Sequence, residues 1–140
     1  METYWGIALE DYENAIFAKD ASKNKMAVFY FQQFAEKGAK ALLEKIDPEH
    51  TFLKSHRVEN ILAAYDKNHR CGELSDKARY LTSFYFDTRY PGDNYVAVID
   101  DIQMECALRY ANALKEYFEN ELEKLEKSIV RKINGLEGLR

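Results

Sequence analysis

Apolar residues recur at helical spacing along most of the chain, and the intervals between them set out five helical segments. Trp5, Leu9, Tyr12 and Ile16 step by four, three and four residues, which predicts a helix from about Tyr4 to Lys19 with these four on its inner face. The polar stretch from Asp20 to Lys25 ends it. A second helix is expected from about Met26 to Lys45, with Phe31, Ala35, Gly38, Leu42 and Ile46 as its apolar stripe and Tyr30 and Phe34 widening it. Gly38 weakens a helix, so its expected use is the close approach of a neighbour. Asp47-Pro48 stops this helix, because the residue before proline avoids the helical region. A third segment fits His56 to about Asn68, with Val58, Ile61, Leu62 and Tyr65 turned inward. Gly72 breaks the chain, and a fourth helix spans about Glu73 to Asp87 through Leu74, Ala78, Leu81 and Tyr85. Pro91-Gly92 forces a turn. Tyr95 to Ile99 is short and β-branched, but no partner strand is evident, so it reads as an ordered loop.

The last helix has the clearest signals. Asp100 with Gln103 three residues on makes a capping-box start. Phe118, Leu122, Leu125, Ile129 and Ile133 then hold the helical period, and Gly135 supplies a natural stop. Glu123 and Lys127 form a favourable i,i+4 pair on its solvated face. Such a helix is long for a small bundle, and its end is expected to project or to pair with another copy. The pattern is that of an all-α bundle of about five helices with a long C-terminal helix, one domain over residues 1–140.

Composition changes this picture little. Two prolines and six glycines in 140 residues favour long helices, and a 46% hydrophobic content suffices for one core. Ten tyrosines and eight phenylalanines place some rings at interfaces or cleft edges. The net charge of −4 argues against a general nucleic-acid binder, so any contact with RNA or DNA would come from a local patch. Cys71 and Cys106 are too few and too far apart for a disulfide framework. His69 and Cys71 offer two metal ligands, fewer than zinc needs, so neither a metal site nor a cofactor is expected. The N-terminus has no basic and apolar leader pattern, and no apolar run reaches the ~20 residues that span a bilayer. A soluble, cytoplasmic protein is expected.

Two stretches resemble a known family. Gln32-Gln33-Phe34-Ala35-Glu36-Lys37-Gly38-Ala39-Lys40-Ala41-Leu42-Leu43 is similar to the "QQxxEKxxKALL" helix of HEPN domains (higher eukaryotes and prokaryotes nucleotide-binding). Leu81 to Asp93 resembles the later "LTxxYxxTRYPxD" segment of the same family, and Ser55 to Leu62 occupies the place of its "THxLxxLL" helix start. The resemblance implies an up-and-down antiparallel bundle, usually a homodimer, that associates with nucleotide or RNA. It also implies a nucleotidyltransferase-type partner protein, in a toxin-antitoxin-like pair. Many members are ribonuclease toxins in which an Arg is followed after four to six residues by a His. This chain departs from that pattern: Arg89 is followed by Tyr-Pro-Gly-Asp-Asn-Tyr-Val, and His50, His56 and His69 all precede it. Binding is therefore placed ahead of RNA cleavage.

The ligand-binding candidates are Arg89, Tyr90, Asp93, Tyr85, Gln33 and Lys37. Arg89 either fastens its turn to Asp87 or Asp93, or forms a bidentate anion site helped by backbone donors near Gly92. Asp100 and Asp101 weigh against a strongly anion-seeking pocket. Tyr85 and Tyr90 either pack in the core or stack on a base. Gln33, Glu36, Lys37 and Lys40 read as a half-buried polar seam with a Glu36–Lys40 i,i+4 pair, or as a face from which Gln33 and Lys37 reach a ligand held by Arg89. His56 is explained by a hydrogen bond to a carboxylate or a backbone group. As the alternative, a ribonuclease with a displaced histidine would use Arg89 and His56 as its catalytic pair. A third class, a purely structural interaction module, would use the aromatic surface alone.

Overall fold

The computed structural model describes residues 2–66, 72–89 and 98–138, with residues 86–89 and 136–138 described by backbone alone. The described residues form an all-α bundle of five helices: α1 (Tyr4–Asp20), α2 (Asn24–Ile46), α3 (Val58–Tyr65), α4 (Gly72–Arg89) and α5 (Asp101–Gly138). A 3₁₀ turn at Thr51–Lys54 precedes α3, and no strand occurs among the described residues.

Local chemistry accounts for the helix ends. Thr3 caps α1, its Oγ1 accepting from the Gly6 N–H at 2.9 Å. The break to α2 is only Ala21 to Lys23, shorter than the polar stretch suggests, and Ser22 takes the left-handed conformation there at φ 59°. So tight a connection sets α1 and α2 antiparallel. Asp100 and Gln103 form the expected reciprocal box at the start of α5: the Gln103 N–H donates to Asp100 Oδ1 at 2.7 Å, and the Asp100 N–H donates to Gln103 Oε1 at 3.0 Å. Asn24 ties the start of α2 to this point, donating to Asp101 Oδ1 at 2.8 Å and to the Ile99 carbonyl at 3.1 Å.

Helix α2 is central and touches all four other helices. Its Phe31, Phe34, Ala35, Leu42 and Leu43 are buried, with Ala8 and Ala15 from α1, Val58, Ile61 and Leu62 from α3, Leu81 from α4, and Leu114 and Phe118 from α5. Gly38 does what its position in the pattern implies. The Phe118 ring lies directly over it, in the space a side chain would need. Trp5 and Phe34 hold that ring at centroid distances of 6.2 and 5.8 Å.

Several sequence expectations are corrected. Leu9 is exposed, because α1 meets α2 through Ala8 and Ala15, and a small-residue seam one position away takes the inner face. Ile46, at the end of α2, is exposed as well. Helix α3 begins at Val58 and ends at Tyr65, shorter than expected at both ends. Gly72 is the first residue of α4, one before the expected start at Glu73. Gly135 lies inside α5, where nothing surrounds it and a helix penalty of about 1 kcal/mol is too small to stop so long an element. Helix α4 runs on to Arg89, past the expected end near Asp87. His69, Cys71 and the segment Tyr90 to Ala97, with Pro91-Gly92, lie outside the described residues.

Candidate functional site

Gln32, Glu36 and Lys40 stand four residues apart on one line of α2, polar positions within its most buried stretch. Glu36 is the hub. Its side chain is 1% exposed, and both oxygens are fully used. Oε2 accepts from Lys37 Nζ and Lys40 Nζ, each at 3.0 Å. Oε1 accepts from Gln32 Nε2 at 3.2 Å and faces His56 Nδ1 at 3.1 Å. Gln33 joins through its neighbour, donating to Gln32 Oε1 at 2.6 Å. Burial alone would push the Glu36 carboxyl up, but Lys37 and Lys40 outweigh it and hold the group below its ordinary value of 4.5. Two lysines therefore share one carboxylate.

His56 comes from the extended link between the 3₁₀ turn and α3. Just after it, the Val58 N–H donates to Thr82 Oγ1 at 2.9 Å, a buried bond that fixes the start of α3 on α4. Tyr85 lies one turn beyond Thr82, and its ring stacks on the His56 imidazole at 4.4 Å with an interplanar angle of 13°. Because a carboxylate only accepts, Nδ1 carries the proton in the Glu36 contact, and Nε2 is the lone-pair nitrogen of the neutral ring. The His56 side chain remains 48% exposed, so one edge is fixed and the other is open to solvent.

Asp11 of α1 stands in the same field. Partial burial, with Glu10 and Glu36 adding and Lys37 opposing, raises its carboxyl from 3.8 to about 6. The folded chain therefore keeps a proton that the unfolded chain releases between those values. Stability from Asp11 is present below pH 3.8 and is lost as pH rises through about 6. Asp11→Asn is expected to stabilise the fold at pH 7 by about 1 kcal/mol, after discounting for its exposed part, and to change little at pH 3.5. Thermal unfolding at the two pH values checks this; equal gains at both would refute it.

Of the sequence candidates, Lys37, Gln33, Tyr85 and His56 gather around Glu36. Tyr85 is buried with one face against His56, so it supports that ring and is not an open platform for a base. The side chain of Arg89, and all of Tyr90 and Asp93, lie outside the described residues; the backbone of α4 carries Arg89 one turn past Tyr85. Gln32, Asp11 and Thr82 are additions to the set. The four-residue spacing of Gln32, Glu36 and Lys40 in an otherwise apolar helix was the available signal for Gln32, whereas Asp11 and Thr82 join only through packing. No cluster of three His, Cys, Asp or Glu side chains suited to a metal occurs among the described residues. Nor is any described helix long and apolar enough to cross a membrane.

The described residues form a helical bundle with an ionic hub inside its central helix. The HEPN domain family model matches residues 1–131, and the chain belongs to that family. No curated protein and no solved structure matches it significantly.

Proposed function

We propose that the chain is a binding module for the phosphate of a nucleotide or RNA, held between His56, Lys37 and Arg89. The observation that carries this is the mounting of His56: one nitrogen clamped by a buried carboxylate, one face on Tyr85, the outer edge exposed. An imidazole fixed in this way loses little freedom on binding, which favours recognition. Lys37, one of the two lysines on Glu36, is partly exposed and able to reach a phosphate, and Arg89 sits one turn further along the helix that carries Tyr85. Gln33 and Tyr85 position this set, and Tyr90 and Asp93, next along the chain, complete the proposed site.

Calorimetric titration with ATP, GTP and short RNAs tests the reading. His56→Ala and Arg89→Ala are each expected to weaken binding by about tenfold or more, the loss of one charge-assisted contact. Binding should also weaken with salt. Absence of affinity for all three probes, or unchanged affinity in both variants, would reject it.

The Glu36–His56 contact favours a second reading, RNA cleavage, because a carboxylate that orients an imidazole is how general bases are commonly held. There the neutral Nε2 would take the proton of a ribose 2′-hydroxyl as its oxygen attacks the phosphorus; the P–O5′ bond breaks to leave a 2′,3′-cyclic phosphate, and the departing 5′-oxygen takes a proton from water. No histidine stands four to six residues after Arg89, so His56 must serve. RNA degradation that survives in His56→Ala would exclude this reading and leave the binding module.

A further inference from the structure

The His56 ring offers its two nitrogens on unequal terms. Nδ1 lies 3.1 Å from Glu36 Oε1, and since a carboxylate only accepts, that nitrogen carries the proton of the neutral ring. Nε2 has no partner among the described residues, and the side chain is 48% exposed, so a ligand meets the ring at this nitrogen. In the neutral ring Nε2 holds a lone pair. A phosphate oxygen is an acceptor as well, so the two repel until Nε2 gains a proton of its own.

Charged and titratable groups face the ring from several elements. From α2, Glu36 meets Nδ1, and its other oxygen already holds Lys37 and Lys40 at 3.0 Å each. From α4, the Tyr85 ring stacks on one face at 4.4 Å, and the same helix carries Arg89. Within its own segment, Arg57 follows His56 and stands 3.9 Å from Glu59 in the first turn of α3. In the 3₁₀ turn before it, His50 is occupied with Phe52, its Nδ1 accepting from that N–H at 2.9 Å. Asp11 of α1 acts on this field through Lys37 and Glu36. Two lysines thus answer the charge of Glu36, and a second proton on His56 meets an anion of its own only when a phosphate arrives.

We propose that His56 takes up a proton at Nε2 as the phosphate binds, so that the site holds its ligand more tightly as pH falls and releases it as pH rises. This rests on the phosphate reading above and adds its regulation. The proton comes from solvent, fills the Nε2 lone pair, and lets Nε2–H donate to a phosphate oxygen; no covalent bond to the ligand forms. The imidazolium then lies between two anions, Glu36 at Nδ1 and phosphate at Nε2, and both favour the charged ring. Linkage is reciprocal: whatever the proton adds to the affinity for phosphate, phosphate adds to the affinity for the proton. RNA cleavage would need Nε2 neutral, so it would gain with rising pH where binding loses.

Calorimetric titration of the full chain with a short oligouridylate tests this, because neither its phosphodiesters nor its bases titrate between about pH 5 and 8, where imidazoles do. At about pH 7.5, the heats in two buffers of different ionisation enthalpy should report uptake of about half to one proton per chain. An average uptake of about half a proton makes affinity about tenfold weaker at pH 8 than at pH 6. His56→Gln supplies a donor that does not titrate, so the uptake should disappear and the pH dependence flatten. The side chain is about half exposed, so this variant is expected to fold, which circular dichroism verifies. Asp11→Asn removes the nearby carboxyl that is raised to about 6, and the uptake should persist. Binding without proton uptake, or uptake that survives in His56→Gln, would overturn the proposal and leave the phosphate reading standing. No binding at any pH would reject both.

Discussion

Glu36→Gln is expected to destabilise the fold by about 3 kcal/mol, the effect of removing one partner from a buried ionic cluster. The replacement has nearly the same shape, so packing is kept and the loss reports charge. Lys40, 5% exposed, would be left without its counter-charge, and Lys37 without its acceptor. His56 would face an amide in place of a carboxylate. Urea unfolding followed by the fluorescence of Trp5, the one tryptophan, measures the effect, because that ring packs against Phe34 and Phe118. Replacing both charges with apolar residues of similar size, Glu36→Leu with Lys40→Met, should recover most of the loss. An unchanged urea midpoint in Glu36→Gln would show that the cluster contributes nothing to stability.

The same cluster gives a pH dependence of definite sign. The Glu36 carboxyl is lowered in the folded chain, so there it binds fewer protons than in the unfolded one. Its contribution is complete above 4.5 and disappears as pH falls through the lowered folded value. The gap between the parent protein and Glu36→Gln should therefore narrow on acidification. Asp11 works in the opposite direction, since its carboxyl is raised.

Gly38→Ala carries the second large effect, a net loss of about 2 kcal/mol. Alanine improves helix propensity by about 1 kcal/mol, but overpacking a closed core costs typically up to about 3 kcal/mol, and more where nothing can move. The added methyl would fall on the Phe118 ring, which Trp5 and Phe34 hold from other sides. Phe118→Leu makes room, so the double variant should be more stable than the sum of the two single losses. Calorimetric unfolding of the three variants decides it; a Gly38→Ala protein as stable as the parent would mean the ring shifts freely.

The helices and their order were legible because their signals are local. A capping box needs only Asp100 and Gln103, and a buried stripe needs only its period. The errors fall where a distant element decides. Leu9 and Ala8 are adjacent residues about 100° apart around α1, and only the approach of α2 selects the small one for the inside. Ile129 and Ile133 continue the period of Phe118 without a flaw, yet both are about half exposed, because α5 outruns the shorter α2 beside it. Gly135 carried a stop signal that the long helix overrode.

The candidate site divides in the same way. Gln33, Glu36, Lys37 and Lys40 were visible as a polar seam, and the Glu36–Lys40 pair follows from helical spacing alone. A carboxylate partner for His56 was an open choice among several, and Tyr85 could equally have faced a ligand. Sequence by itself determined an all-α bundle, a close approach at Gly38 and the membership signalled by its motifs, since each rests on residues within a few turns of one another. Tertiary structure alone decided that Glu36 is buried with all its acceptor positions filled, that His56 is clamped between it and Tyr85, and that Asp11 shares the field. Helical periodicity fixes the side of a helix a residue occupies, but depth and partners depend on which other helices arrive, over sequence separations that no local pattern encodes.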